Sequence, residues 1–137
     1  MKKDWSPYLL SVLRIIVAFL FFQHGAAKWF AFPAAVMPGG GVAAVGSLPW
    51  VAGVIETIGG AFMLAGLFTR QVAFILAGEM AAAYFIGHAG RGFWPTLNGG
   101  EAAVFFCFTY LYFSAAGGGP WSMDALLARR RSAVPVL

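Results

Sequence analysis

Long apolar runs separated by short polar joints leave this chain little choice of solvent. Four runs stand out, at residues 8–30, 50–68, 72–87 and 101–116. Each approaches the roughly 20 residues that cover a hydrocarbon core as a helix, the last two at the short end of the range. Charged side chains make up only 10% of the 137 residues and hydrophobic ones 61%, whereas a typical soluble domain carries about 25% charged residues. A buried soluble helical core is the competing reading, and the length and number of the runs weigh against it. Aromatic residues mark many run ends, as interfacial belts require: Trp5, Tyr8, Trp29, Trp50, Trp94 and Trp121.

The expected fold is therefore all-α: an integral membrane four-helix antiparallel bundle occupying residues 1–137 as a single domain. Basic residues set the expected orientation. Lys2, Lys3, Arg70 and Arg129–Arg131 fall on one side of a four-pass chain, and Lys28 and Arg91 on the other. The positive-inside rule then places both termini in the cytoplasm of a bacterial inner membrane. Lys2 and Lys3 before an apolar stretch also suit a secretory signal. Arg14 interrupts that stretch and no clear cleavage site follows, so it is read as a retained first helix. Residues 31–49 hold Pro33, Pro38, Pro49 and several glycines, which argue against a regular helix. The joint at residues 69–71 is short enough to make helices two and three antiparallel neighbours. Near the C-terminus Ser122 suits the cap of a short interfacial helix with Asp124 in its first turn. Gly53, Gly59, Gly60 and Gly66, and Gly78 with Ala82, suit close helix contacts in lipid.

The few charged side chains within the runs need partners, because a charge at mid-bilayer depth costs roughly 2.5–3.5 kcal/mol on insertion scales. Counting about 1.5 Å of rise per residue, Arg14 and Glu79 fall at similar depths from the cytoplasmic side and are expected to form an intramembrane ion pair. The competing reading has Arg14 snorkelling to headgroups and Glu79 protonated. Toward the outer side, His24 and Lys28 are four apart and share a helix face. With Glu56, Glu101, His88 and Asn98 they are expected to line one polar pocket for a ligand or a proton. Histidine and carboxylate are metal-ligand types, yet no pair shows a metal-binding spacing, so no metal is expected. A structural ion-pair network is the commoner outcome for such a set. Cys107 is the sole cysteine, which excludes an intrachain disulfide or a CxxC relay. No GxGxxG after a strand and no CxxCH is present, so a flavin, haem or nicotinamide fingerprint is absent.

Several segments together resemble the DoxX family of small four-helix bacterial membrane proteins. They are Arg14 with HGAAKWF (His24 to Phe30), GVIETIGGAFMLAGLFTR (Gly53 to Arg70), the stretch from Ala77 to Phe108 containing NGGE, and AAGGGPWSMD (Ala115 to Asp124). The resemblance implies an inner-membrane bundle. Relatives are associated with a thiosulfate:quinone oxidoreductase subunit, with a complex handling oxidative and thiol stress, and with maturation of redox enzymes. It thus implies an accessory or quinone-interacting component of a redox system, more in keeping with a non-catalytic subunit than with a stand-alone enzyme. Quinone is the one cofactor it suggests. The expected partners are the lipid bilayer and a protein of a redox complex, with no nucleic acid and with self-association open. A small transporter or channel is the alternative, as is a purely structural partner subunit. A channel needs a continuous polar stripe, and helix two carries no ionisable residue on the cytoplasmic side of Glu56.

Overall fold

The computed structural model describes residues 4–132, so Lys2 and Lys3 of the orientation argument lie outside the described residues. The described residues are helical with no strand: α1 (Ser6–Phe30), α2 (Leu48–Ala65), α3 (Thr69–Gly87), a 3-10 turn at Ala89–Arg91, α4 (Pro95–Asn98), α5 (Glu101–Ala116) and α6 (Met123–Ser132). The helices α1, α2 and α3 are each long and apolar enough to cross a membrane. At 16 residues, α5 reaches about 24 Å, short of a core of about 30 Å.

Local chemistry explains the boundaries. Asp4 accepts hydrogen bonds from the Ser6 amide (2.9 Å) and hydroxyl (2.7 Å), and Pro7 sits in the first turn of α1. Ser47 caps α2 by accepting from the Trp50 amide at 3.3 Å. Gly66 ends α2 in the left-handed region with φ 67°. The start of α3 is capped from a distance in sequence: the Asp124 carboxylate accepts from the amides of Phe68 and Thr69, each at 2.8 Å. That cap starts α3 at Thr69, so the turn between α2 and α3 is residues 66–68 rather than 69–71. In its turn α6 is capped by Ser122, whose hydroxyl accepts from the Ala125 amide at 3.1 Å. Residues 31–47 form no helix. They are tied to α1 by the Ala43 amide, which donates to the Lys28 carbonyl at 2.8 Å.

Packing follows the hairpins. Antiparallel α1 and α2 lie side by side, α3 packs likewise along α5, and α2 meets α3 less extensively, while α1 and α5 touch at few points. The core is Val17, Ala18 and Phe21 of α1, Met63 of α2, Leu76 and Met80 of α3, and Phe106, Tyr110 and Phe113 of α5, with small alanines between. Many large apolar side chains point away from it, among them Leu9, Ile16, Phe19, Phe74, Ile75, Phe85, Phe105 and Phe108, all exposed by more than half. Soluble monomers rarely present so much contiguous apolar surface; a hydrocarbon solvent accounts for it.

Glycines set the closeness of the first hairpin. A Cβ on Gly25 would meet the Thr57 amide nitrogen at 2.6 Å, and one on Gly60 would meet the Phe22 backbone at 3.1 Å. Gly59 gives way to Leu76 of α3. Gly78 behaves otherwise: it is exposed, with nothing near its missing Cβ, and Ala82 is exposed too. Gly78 and Ala82 thus face outward, whereas Ala73 and Ala77 of the same helix pack in the core.

Candidate functional site

Arg14 is fully buried, and its partners are backbone carbonyls. Its Nε donates to Gly118 at 3.0 Å, Nη1 to Met63 and to Leu64 (2.7 Å), and Nη2 to Trp121 (2.8 Å). Met63 and Leu64 belong to the last turn of α2, whose carbonyls carry the negative end of the helix dipole; the Met63 carbonyl also accepts from the capping Gly66 amide. The guanidinium therefore joins the end of α2 to the segment between α5 and α6. Glycines make room for it. A Cβ on Gly66 would lie 2.9 Å from Arg14 Cζ, and one on Gly119 would lie 2.3 Å from Ser11 Oγ. The expected Arg14–Glu79 ion pair does not form. The cause is geometric: Arg14 reaches the C-terminal end of α2 at Met63 and Leu64, whereas the contact of Gly59 with Leu76 sets Glu79 beside Glu56, seven residues or about 10 Å from Met63 along α2. The acid whose charge acts on Arg14 is Asp124.

The second cluster forms where Lys28, in the last turn of α1, meets the middle of α2 and α3. Lys28 Nζ donates to Glu56 Oε2, the only ion pair among the described residues. Glu56 is 3% exposed. Gly25 opposite Thr57, and Gly53 opposite Lys28 and Trp29, bring α1 and α2 near enough for the pair. The contact of Gly59 with Leu76 fixes the register of α2 against α3. One turn further on each helix lie Glu56 and Glu79, hence at one level. Both Glu56 and Lys28 act electrostatically on Glu79, yet Glu79 Oε2 is buried without a hydrogen-bond partner.

Tyr110 completes this cluster, and the sequence reading missed it. Its side chain is fully buried, packed edge-on to Phe21 with ring centroids 4.9 Å apart. Helical side chains lean toward their own N-terminus, so the ring leans from α5 toward the level of Glu79. Glu79 and Glu56 both act on its hydroxyl, which also lacks a partner. A signal was available: Ala103, Phe106, Tyr110 and Phe113 fall at helix-face spacing and all are buried, and Tyr110 is the one polar member of that face. His24 lies beside the cluster, exposed on α1, with its ring edge-on to Phe106 at 5.7 Å.

The remaining expected site residues form a separate group. Asn98 is 2% exposed and organises the loop before α5. Its Nδ2 donates to the Gly92 carbonyl (2.8 Å) and the Tyr84 hydroxyl (3.3 Å), and its Oδ1 accepts from the Gly100 amide (2.8 Å). His88 Nδ1 lies 3.2 Å from the Asn98 carbonyl, and its ring stacks on Tyr84. Glu101 is exposed in the first turn of α5, where a carboxylate suits the helix dipole. Asn98 and His88 thus spend their hydrogen bonds on the loop and on Tyr84, not on the carboxylates of the mid-helix cluster. Among the described residues no three His, Cys, Asp or Glu side chains converge as a metal site would need.

These features define a multi-pass membrane protein with a buried charged cluster between its helices. The chain belongs to the DoxX family, whose model matches residues 9–89, covering α1 to α3. An uncharacterized protein of Haemophilus influenzae is 48% identical over 126 residues, 89% of this chain and 92% of that relative. An uncharacterized membrane protein of Mycobacterium tuberculosis is 27% identical over 142 residues, 93% of this chain and 86% of the relative. No solved structure matches.

Proposed function

We propose that this DoxX-family chain is a four-crossing inner-membrane protein, with both termini cytoplasmic, acting as an accessory, quinone-interacting component of a redox or stress-related membrane system. The observation that carries the reading is the pair of unpartnered buried oxygens, Glu79 Oε2 and Tyr110 Oη, beside the Lys28–Glu56 pair. Buried polar groups are nearly always satisfied, and exceptions at the centre of a protein point to a role beyond packing. A quinone headgroup offers carbonyl acceptors for such groups on a lipid-soluble body. A shallow, mostly apolar groove between α1 and α5, lined by Leu13, Val104, Phe105, Phe108, Thr109 and Tyr112, offers a lipid-soluble body a surface on the same helix that carries Tyr110. The channel alternative is disfavoured: between the cluster and the α6 end lie Phe21, Met63 and Phe113, each at most 1% exposed, and Arg14 is occupied with carbonyls.

Purification from native membranes tests this reading. Quinone, measured by extraction and absorbance, should remain with the wild-type chain and be lost from Glu56→Gln while the variant stays folded. A wild-type chain that retains no quinone, or a Glu56→Gln chain that unfolds and loses its phenotype together, would place the cluster among structural ion pairs.

A further inference from the structure

The two carboxylates and one ammonium of the mid-helix cluster do not balance. Lys28 neutralises Glu56 by direct contact, and Glu79 at the same level has no cation of its own. The groups facing Glu79 are few. From α2 comes Glu56, of like charge; from α1 comes Lys28, already engaged; from α5 comes Tyr110, an uncharged hydroxyl. Cys107 of α5 is half-buried against the same core. Tyr84, on α3 itself, is held by Asn98 and the Phe93 carbonyl. His24 is the one other titratable group of that face of α1, four residues from Lys28. A second carboxylate beside an ionised one, in a place with little water, favours its neutral form.

We propose that Glu79 binds one exchangeable proton at mid-membrane, with the Tyr110 hydroxyl as its neighbour, making this cluster a single-proton site. The step balances simply: a proton from water adds to a Glu79 carboxylate oxygen, and the trio Lys28, Glu56 and Glu79 passes from one net negative charge to none. The orphaned Oε2 and the orphaned phenol are the two groups such a proton would engage. Lys28 decides which carboxylate carries it, because the acid in contact with the ammonium stays ionised. Neutralising Glu56 therefore hands Lys28 to Glu79 and drives the proton off. The inference rests on the membrane depth in the reading above but not on a quinone, and loss of quinone retention would leave it standing.

Infrared pH titration of the full chain in detergent tests it, since only a protonated side-chain carboxyl gives a carboxylic-acid C=O stretch. Wild type should show one such band at neutral pH, shifted in heavy water. The band should vanish in Glu79→Gln. It should also vanish at neutral pH in Glu56→Gln, and it should persist at a shifted frequency in Tyr110→Phe. No band from wild type at neutral pH would overturn the proposal without any variant having to fold. A band that survives Glu79→Gln, or one unmoved by Glu56→Gln, would overturn it as well.

Discussion

Replacing Arg14 distinguishes a hydrogen-bonding hub from a charge that merely reaches for headgroups. Two of its bonds, to Gly118 and Met63, are buried, and two, to Leu64 and Trp121, are partly so. Arg14→Ala withdraws the guanidinium from all four carbonyls. Met63 keeps the Gly66 amide at 3.2 Å, and the partly buried carbonyls are better placed to meet water. The Gly118 carbonyl is the main orphan, costing about 1–3 kcal/mol, and the emptied volume adds a cavity term. The gain from no longer burying a charge offsets part of this. The net loss should be about 3 kcal/mol, at the low end of the 3–5 kcal/mol typical of breaking a buried charged network. Arg14→Lys keeps the charge but lacks the planar fork, so it should still lose about 2 kcal/mol. Unfolding in mixed micelles by denaturing detergent, followed by circular dichroism, measures both. In a cycle with Glu79→Ala the effects should add to within about 0.5 kcal/mol, as for independent sites. If Arg14→Lys matches wild type, the charge alone matters and the carbonyl network contributes nothing. If the cycle shows strong coupling to Glu79, the two residues interact after all.

Two further outcomes test the joints around this hub and the hairpin. The Asp124 carboxyl is held below its ordinary range. Burial pulls it upward, but the Thr69 and Phe68 amides and the Arg14 charge together prevail. A depressed carboxyl stabilises the fold above its unfolded pKa of about 3.9 and loses that contribution as pH falls through its lower folded value. Stability measured against pH should therefore drop below about pH 4 in wild type, and Asp124→Asn should flatten that fall; an unchanged acid limb would remove Asp124 from the α3 cap. Gly25→Ala should push α1 from α2, since the new Cβ meets the Thr57 backbone at 2.6 Å, at about 1–3 kcal/mol for overpacking. The same detergent titration reads it, and a loss no larger than that of the open position in Gly78→Ala would count against the close contact.

How much of this was legible in the sequence depends on whether the governing partner is a side chain or a backbone. The apolar runs gave the helices, because their pattern is local and solvent alone enforces it. Lys28 beside Glu56 was within reach of reasoning, since opposite charges near one depth on neighbouring helices have few other options. Arg14 was not. A buried cation invites a search for a carboxylate, whereas its actual partners are carbonyls that every residue possesses and no sequence marks. The glycines of GGGPWSMD and GLFTR carry that information only jointly, as the space a guanidinium needs. The boundary of α3 was hidden for a related reason: its cap, Asp124, comes from 55 residues away. The level of Glu79 was hidden as well, because the contact that sets it beside Glu56, Gly59 against Leu76, depends on a side chain that is missing. Tyr110 went unnoticed because charge was the criterion and a phenol carries none. Once α5 is seen to bury the Ala103, Phe106, Tyr110 and Phe113 face, its hydroxyl becomes the polar group on that face requiring a partner. A chain in lipid is thus read best by asking of each buried polar atom what satisfies it, the backbone included, and among the described residues Glu79 and Tyr110, with the hydroxyls of Thr57 and Thr69, are where that question goes unanswered.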